Sequence, residues 1–297
     1  MFVRDSLLSV VRNVYEHAEV TIVGSSSTLL SAKNSDLDLC MTVSDECGEY
    51  SDNRSFVLEV LENVYAVMVV DRPAHLVAFV RIFRNAPVPI VRMYLNADFD
   101  DMEVDLNCNT LGSFYSNHLI RHYVIYEPRI KPLILALKEW GKKRGIVNTF
   151  AGRLSSFSFV LMAVHYLQCA CSPPLLPNLT RLFPDTFRSL LKDTFIASHT
   201  GCIAAVEMPI NERSVAELFI GFVLYYSQFD WDLYGIDISA GKMVERLDDH
   251  CPLYIEEPFG ACNVARTVRG EKEKEEVIRL FRESADSILL DCSVELH

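Results

Sequence analysis

The chain has 297 residues, half of them hydrophobic, and a net charge of −12 from 40 acidic and 28 basic side chains. That is enough apolar material for a substantial core, most simply divided over two domains, and it excludes a disordered chain. The acidic surplus argues against tight RNA binding by the chain alone, because phosphate contacts need basic side chains. No run of about 18 apolar residues is present, so no membrane helix is expected, and Met1-Phe2-Val3-Arg4-Asp5 does not begin a signal peptide. Nine cysteines, an odd number without a Cys-x-x-Cys pair, read as reduced thiols of a cytosolic or nuclear protein without structural zinc.

In chain order, the apolar spacing of Leu7, Leu8, Val11 and Val14 predicts a helix from Asp5 to Ala18. Val20 to Val23 predicts a short strand, and Gly24-Ser25 then opens a short helix. The first backbone N–H groups of such a helix, at its positive dipole end, can receive a phosphate. The Ser25 hydroxyl adds a donor, whereas Ser26 and Ser27 can simply be caps. A second strand follows from Asp36 to Val43. Alternate strand side chains share a face, so Asp36 and Asp38 point the same way while Leu37 and Leu39 enter the core. Two adjacent carboxylates repel each other and attract hard cations such as Mg²⁺. Taken alone, Asp-x-Asp is also common on solvated strands.

An acidic loop from Ser44 to Ser55 leads into a helix from Phe56 to Tyr65. Ala74 to Phe83 and Val88 to Leu95 are strand-like, rich in β-branched and aromatic residues, and joined by Asn85-Ala86-Pro87. In the next strand, Glu103-Val104-Asp105-Leu106-Asn107, Asp105 shares a face with Glu103 and Asn107 while Val104 and Leu106 face inward. Asp105 is the third carboxylate that a pair of metal ions about 3.5 to 4 Å apart requires. These strands make a mixed sheet of about five.

From His118 onward the pattern is mostly helical: Arg129 to Arg144, Ser155 to Cys169, Ser189 to Ser198, Ser214 to Phe229 and Lys272 to Leu290. Lys138 and Lys142 are four apart and share a helix face. The ordinary reading of such a pair is a solvated surface, that of Phe157 a core phenylalanine, and that of His165 a satisfied core histidine.

Gly24-Ser25, Lys33-Asn34-Ser35-Asp36-Leu37-Asp38-Leu39-Cys40 and Asp105-Leu106-Asn107 together resemble the family of cytoplasmic poly(A) polymerases and terminal uridylyltransferases, within the DNA polymerase β type nucleotidyltransferase superfamily. Leu154-Ser155-Ser156-Phe157-Ser158 and Ile255-Glu256-Glu257-Pro258-Phe259 with Asn263-Val264-Ala265-Arg266 look like two later signatures of that family, so the likeness spans nearly the whole chain. Among members it looks most like the germline-development type.

The resemblance implies an α+β fold: a nucleotidyltransferase mixed-sheet domain over residues 1–116 and a mainly helical central (PAP-associated) domain over 117–297. The active site would lie in the cleft between them, and the N-terminal helix is free to pack on the second domain. It implies that Asp36, Asp38 and Asp105 are catalytic and hold two Mg²⁺, for which Mn²⁺ can substitute. It places Gly24, Ser25, Lys138, Lys142 and Ser156 on the nucleotide's phosphates and Phe157, where tyrosine is usual, against the base. Asn109 and Thr110 stand where two asparagines approach the ribose, and Asn263 and Arg266 lie near the base and the cleft.

Uridylyltransferases of this family usually carry a histidine just before that asparagine; Cys262 stands there instead, which favours ATP and its larger purine. The expected activity is template-independent addition of AMP to RNA 3′ ends in the cytoplasm, with RNA and ATP as substrates. Family members of this type lack an RNA-binding domain and rely on a protein partner to bring the transcript. Alternatives are a terminal uridylyltransferase, an oligonucleotide or cyclic second-messenger synthase, and an inactive scaffold.

Overall fold

The computed structural model describes residues 2–33, 35–188, 203–246, 251–259 and 262–294. It divides into two compact units, Met1–Asn117 and His118–His297.

The first unit contains helix α1 (Phe2–Arg12), strand β1 (Glu19–Ile22), the single turn α2 (Gly24–Ser27), β2 (Leu37–Thr42), α3 (Arg54–Asp71), β3 (Val77–Phe83), β4 (Ile90–Leu95), β5 (Glu103–Cys108) and the start of α4 (Leu111–Tyr126). Its five strands form one mixed sheet in the order β1-β2-β5-β4-β3. Only the β2–β5 pair is parallel, with Asp38 opposite Asp105. The pleat sorts the side chains of β5: Val104 and Leu106 are buried, while Glu103, Asp105 and Asn107 stand on the opposite, partly exposed face.

Helix α3 covers the apolar face through Val57, Val60, Leu61, Val64 and Met68, a helical stripe whose burial stabilises by roughly 1.5 to 3 kcal/mol per large side chain. Asn53 caps it, its Oδ1 accepting from the Ser55 N–H at 2.9 Å, and Arg72-Pro73 ends it, since the residue before proline disfavours helical backbone. The helix therefore exceeds the expected Phe56 to Tyr65 at both ends. Helix α1 joins the same core through Leu7 and Val11, so it belongs to the first unit. It stops earlier than expected because the Arg12 guanidinium turns back onto the Ala18 carbonyl at 3.1 Å and Glu19 at 2.6 Å, closing the turn into β1.

The second unit holds the remainder of α4, then α5 (Ile130–Lys143), α6 (Ser156–His165) continued by a π-turn (Tyr166–Ala170), the short α7 (Leu179–Leu182) and α8 (Pro184–Arg188), α9 (Val215–Ser227), a two-stranded ribbon of β6 (Tyr234–Asp237) and β7 (Lys242–Glu245), and α10 (Glu271–Val294). Its core is aromatic: Phe159, Phe222 and Phe281 pack with ring centroids 5.9 to 6.1 Å apart, and Trp140 edges onto Phe281 at 5.6 Å. Ser214 and Glu217 form a capping box at the start of α9. The ribbon was not expected from the sequence, and the helix expected from Ser189 to Ser198 lies outside the described residues.

Candidate active site

In the first unit the site is built around the end of β1. The Val23 N–H donates to the Asp38 carbonyl at 2.9 Å, and the chain then turns through Gly24 at φ +65°. Asp38 fills the space a larger residue would need: a Cβ on Gly24 would stand 2.1 Å from Asp38 Oδ2. Glycine here satisfies both the left-handed backbone and the close approach of a carboxylate. The following helix is a single turn, too short to carry an extended dipole, so a phosphate there would meet only its first backbone N–H groups. Ser25 is half-buried, and its hydroxyl has no hydrogen-bond partner among the described residues.

Strand β2 begins at Leu37, one residue later than expected, so Asp36 lies exposed on the approach to the strand and Asp38 within it. Asp38 and Asp105 are directly opposed on parallel strands. Beside Asp105, in register on β4, stands Arg92. Its Nε and terminal amine donate to Asp105 Oδ1 and Oδ2 at 2.6 and 2.7 Å, and its other amine pairs with Glu103 at 2.6 Å. This fork was missed in the sequence, although the alternation of Ile90-Val91-Arg92-Met93-Tyr94 already placed an arginine on the polar face. The bidentate bond to Asp105 pushes the Arg92 pKa further up, against the opposing effect of burial.

Asn109 corrects one expectation. At φ +52° and 1% exposure, its side chain accepts from the Val43 N–H at 2.9 Å and donates to the Val43 and Ser51 carbonyls at 2.9 and 2.8 Å. Both amide hydrogens are used, so Asn109 clamps the chain after β2 and has no donor left for a ribose. Thr110 is half-buried and its hydroxyl donates to Asn107 Oδ1 at 2.7 Å. Burial pushes the Cys40 thiol on β2 up to about 12, which keeps it protonated.

In the second unit Lys138 is half-buried and Lys142 exposed, on the last turns of α5; Lys143 pairs with Glu139 at 3.1 Å. The Ser155 hydroxyl caps α6 by accepting from the Ser158 N–H at 3.0 Å, which leaves Ser156 and Phe157, both half-buried, on its first turn. Phe157 has no ring contact among the described residues, unlike Phe159 two positions on.

Asn263 is tied to backbone: Oδ1 accepts from the Ile255 and Ala265 N–H groups at 3.1 and 2.9 Å, and Nδ2 donates to the Leu253 carbonyl at 2.6 Å. It therefore shapes its loop, with one amide hydrogen left over. Arg266 is exposed beside Cys262, 3.8 Å from its sulfur. His165 is fully buried, bonded to the Tyr225 hydroxyl at 3.1 Å, with its pKa lowered to about 4 by burial.

The donor types of the first unit suit a hard divalent cation, with carboxylate oxygens from Asp36, Asp38 and Asp105 beside the backbone turn at Gly24, whereas the Arg92 guanidinium on both Asp105 oxygens opposes one. Among the described residues no three His, Cys, Asp or Glu side chains are gathered closely enough to hold a metal ion as they stand. No described helix is long and apolar enough to cross a membrane.

Residues 1–125 match the family model described as "Poly(A) RNA polymerase, mitochondrial-like, central palm domain". The chain is 31% identical over 288 residues to Poly(A) RNA polymerase GLD2 of Mus musculus, a match covering 93% of this chain and 57% of that protein. It thus spans little more than half the length of that relative. Among solved structures, the GLD-2/RNP-8 complex aligns with a TM-score of 0.80 at 29% identity, covering 97% of this chain and 87% of the matched chain. The Cid1 poly(U) polymerase aligns with a TM-score of 0.75 at 22% identity, covering 95% and 85%, and shares the fold.

Proposed function

We propose, from its likeness to poly(A) RNA polymerase GLD2 over 93% of its length, that the chain is a member of the poly(A) RNA polymerase and terminal uridylyltransferase family and adds AMP from ATP to RNA 3′ ends without a template. The observation that carries this reading is Asp38 opposite Asp105 on adjacent parallel strands, against a glycine turn that only a residue without a Cβ can make.

In this reading Asp36, Asp38 and Asp105 would hold two Mg²⁺, which would supply a Lewis acid for the attacking hydroxyl and for the triphosphate. The chain's own part is positioning and charge. The Gly24 turn and the Ser25 hydroxyl receive phosphate oxygens, Lys138, Lys142 and Ser156 neutralise and orient the triphosphate, Phe157 stacks on adenine, and Thr110 reaches the ribose. The RNA 3′-oxygen forms its bond to the α-phosphorus as the bond to pyrophosphate breaks. Asn263 holds the loop that carries Cys262, so that no imidazole stands against the base and a purine has room. The exposed Arg266 sits at the edge of the same loop.

The acidic balance of the chain, −12, supports recruitment of the transcript by an RNA-binding protein. The relative in the solved complex is bound to RNP-8, which makes a protein partner a reasonable expectation for this chain as well. The cytoplasm is the proposed location.

Primer extension with one unstructured RNA and each ribonucleotide separately tests the assignment. Ladders with ATP support it, and ladders mainly with UTP replace it by a uridylyltransferase. If free RNA is not extended, RNA tethered to the chain distinguishes a missing partner, which restores activity, from an inactive scaffold, which stays silent.

A further inference from the structure

Arg92 takes up both oxygens of the third carboxylate. Its contacts at 2.6 and 2.7 Å occupy the two Asp105 oxygens that a cation would also use, and its remaining amine holds Glu103 at 2.6 Å. The pair is largely enclosed. Arg92 is three-quarters buried, with Asp105 more so at 15% exposure, and the guanidinium carbon lies 5.5 Å from the centre of the Phe83 ring, a cation–π distance. Arg81, its cross-strand neighbour, lies over the same ring at 5.2 Å. Two acidic side chains adjacent on one face of β5 would repel each other without this cation.

We propose that Arg92 is a built-in counter-ion that must give up at least one Asp105 oxygen before a divalent cation can bind that carboxylate, and that it thereby sets the cation affinity of the site. The inference rests on the nucleotidyltransferase reading and extends it to a residue that reading does not use. Before loading, the guanidinium keeps Asp105 and Glu103 oriented and neutralised. A cation on Asp105 would need at least one of the two oxygens that Arg92 now holds, and Glu103 and the Phe83 ring would remain as partners for the guanidinium. Arg92 is therefore a positioning residue, acting through Asp105.

Mn²⁺ binding to the full chain without nucleotide or RNA, followed by electron paramagnetic resonance, tests this apart from activity. Arg92→Met removes a partly exposed charge-assisted contact and the nearby positive charge, so Mn²⁺ binds about tenfold more tightly than to the native chain. Arg92→Lys, which can bond only one oxygen at a time, tightens it by a smaller factor and serves if the methionine variant fails to fold. Asp105→Asn abolishes the gain when combined with either. Equal or weaker Mn²⁺ binding in the folded Arg92 variants, with native binding still lost in Asp38→Asn, overturns the counter-ion role and leaves the catalytic reading standing. Native Mn²⁺ binding that does not depend on Asp38 overturns both.

Discussion

Gly24 and Asp38 are packed so closely that a Cβ on residue 24 would stand 2.1 Å from Asp38 Oδ2. The turn after β1 and the carboxylate on β2 therefore form one unit, in which the side chain of Asp38 is positioned by the absence of a side chain opposite it. Gly24→Ala forces either the carboxylate or the turn to move, at a backbone already in the left-handed region. The variant is expected to lose about 1 to 2 kcal/mol of stability and on the order of 100-fold in kcat. Urea denaturation alongside single-turnover extension measures both. Native kcat in Gly24→Ala would separate Asp38 from the chemistry.

Asn109 is expected to behave as a structural clamp. Asn109→Ala leaves the Val43 N–H and two carbonyls without their buried partner and puts alanine at positive φ. A loss of roughly 2 to 4 kcal/mol follows, with the KM for ATP unchanged in the folded fraction. A raised KM at full stability would restore the ribose role.

Lys142 and Lys143 are neighbours with different surroundings, since among the described residues only Lys143 has a carboxylate partner, Glu139, at 3.1 Å. Lys142→Ala is expected to raise the KM for ATP about tenfold, and Lys143→Ala to change it less than about twofold. Equal effects in steady-state kinetics would reduce both to general surface charge.

His165 gives the chain a pH dependence of known sign. Its folded pKa, about 4, lies below the ordinary 6.5, so the unfolded chain takes up a proton between these values and the folded chain does not. Stability is therefore fully present above about pH 6.5 and declines as pH falls toward 4, by about 2 kcal/mol at pH 5 from this residue. His165→Gln, which keeps a partner for the Tyr225 hydroxyl, should show a smaller loss between pH 7.5 and 5 in chemical denaturation. An unchanged slope would assign the acid sensitivity elsewhere.

The sheet was legible because its signals are local. The period-two pattern of β5 and the glycine that opens α2 both follow from short-range sterics, and the alternation around Asp105 correctly placed it opposite the buried Val104 and Leu106. Helix ends were less legible, since tertiary contacts decide them: Arg12 folding back on Ala18 stops α1, and the core stripe through Met68 extends α3. The β6–β7 ribbon was hidden because strands of four residues carry too few alternations to register. Within the site, residue types were readable but their bonds were not. Asn109 and Asn263 turned out to hold backbone, and the fork of Arg92 on Asp105 depends on a cross-strand register that no single segment contains.

The most direct test of the account is extension of a labelled RNA primer with ATP and Mg²⁺ by the native chain beside Asp38→Ala and Asp105→Ala, the RNA being tethered if free RNA is not extended. The account predicts an adenylate ladder from the native chain and none from either variant, with the circular dichroism of all three alike. A native-length ladder from either carboxylate variant would contradict it.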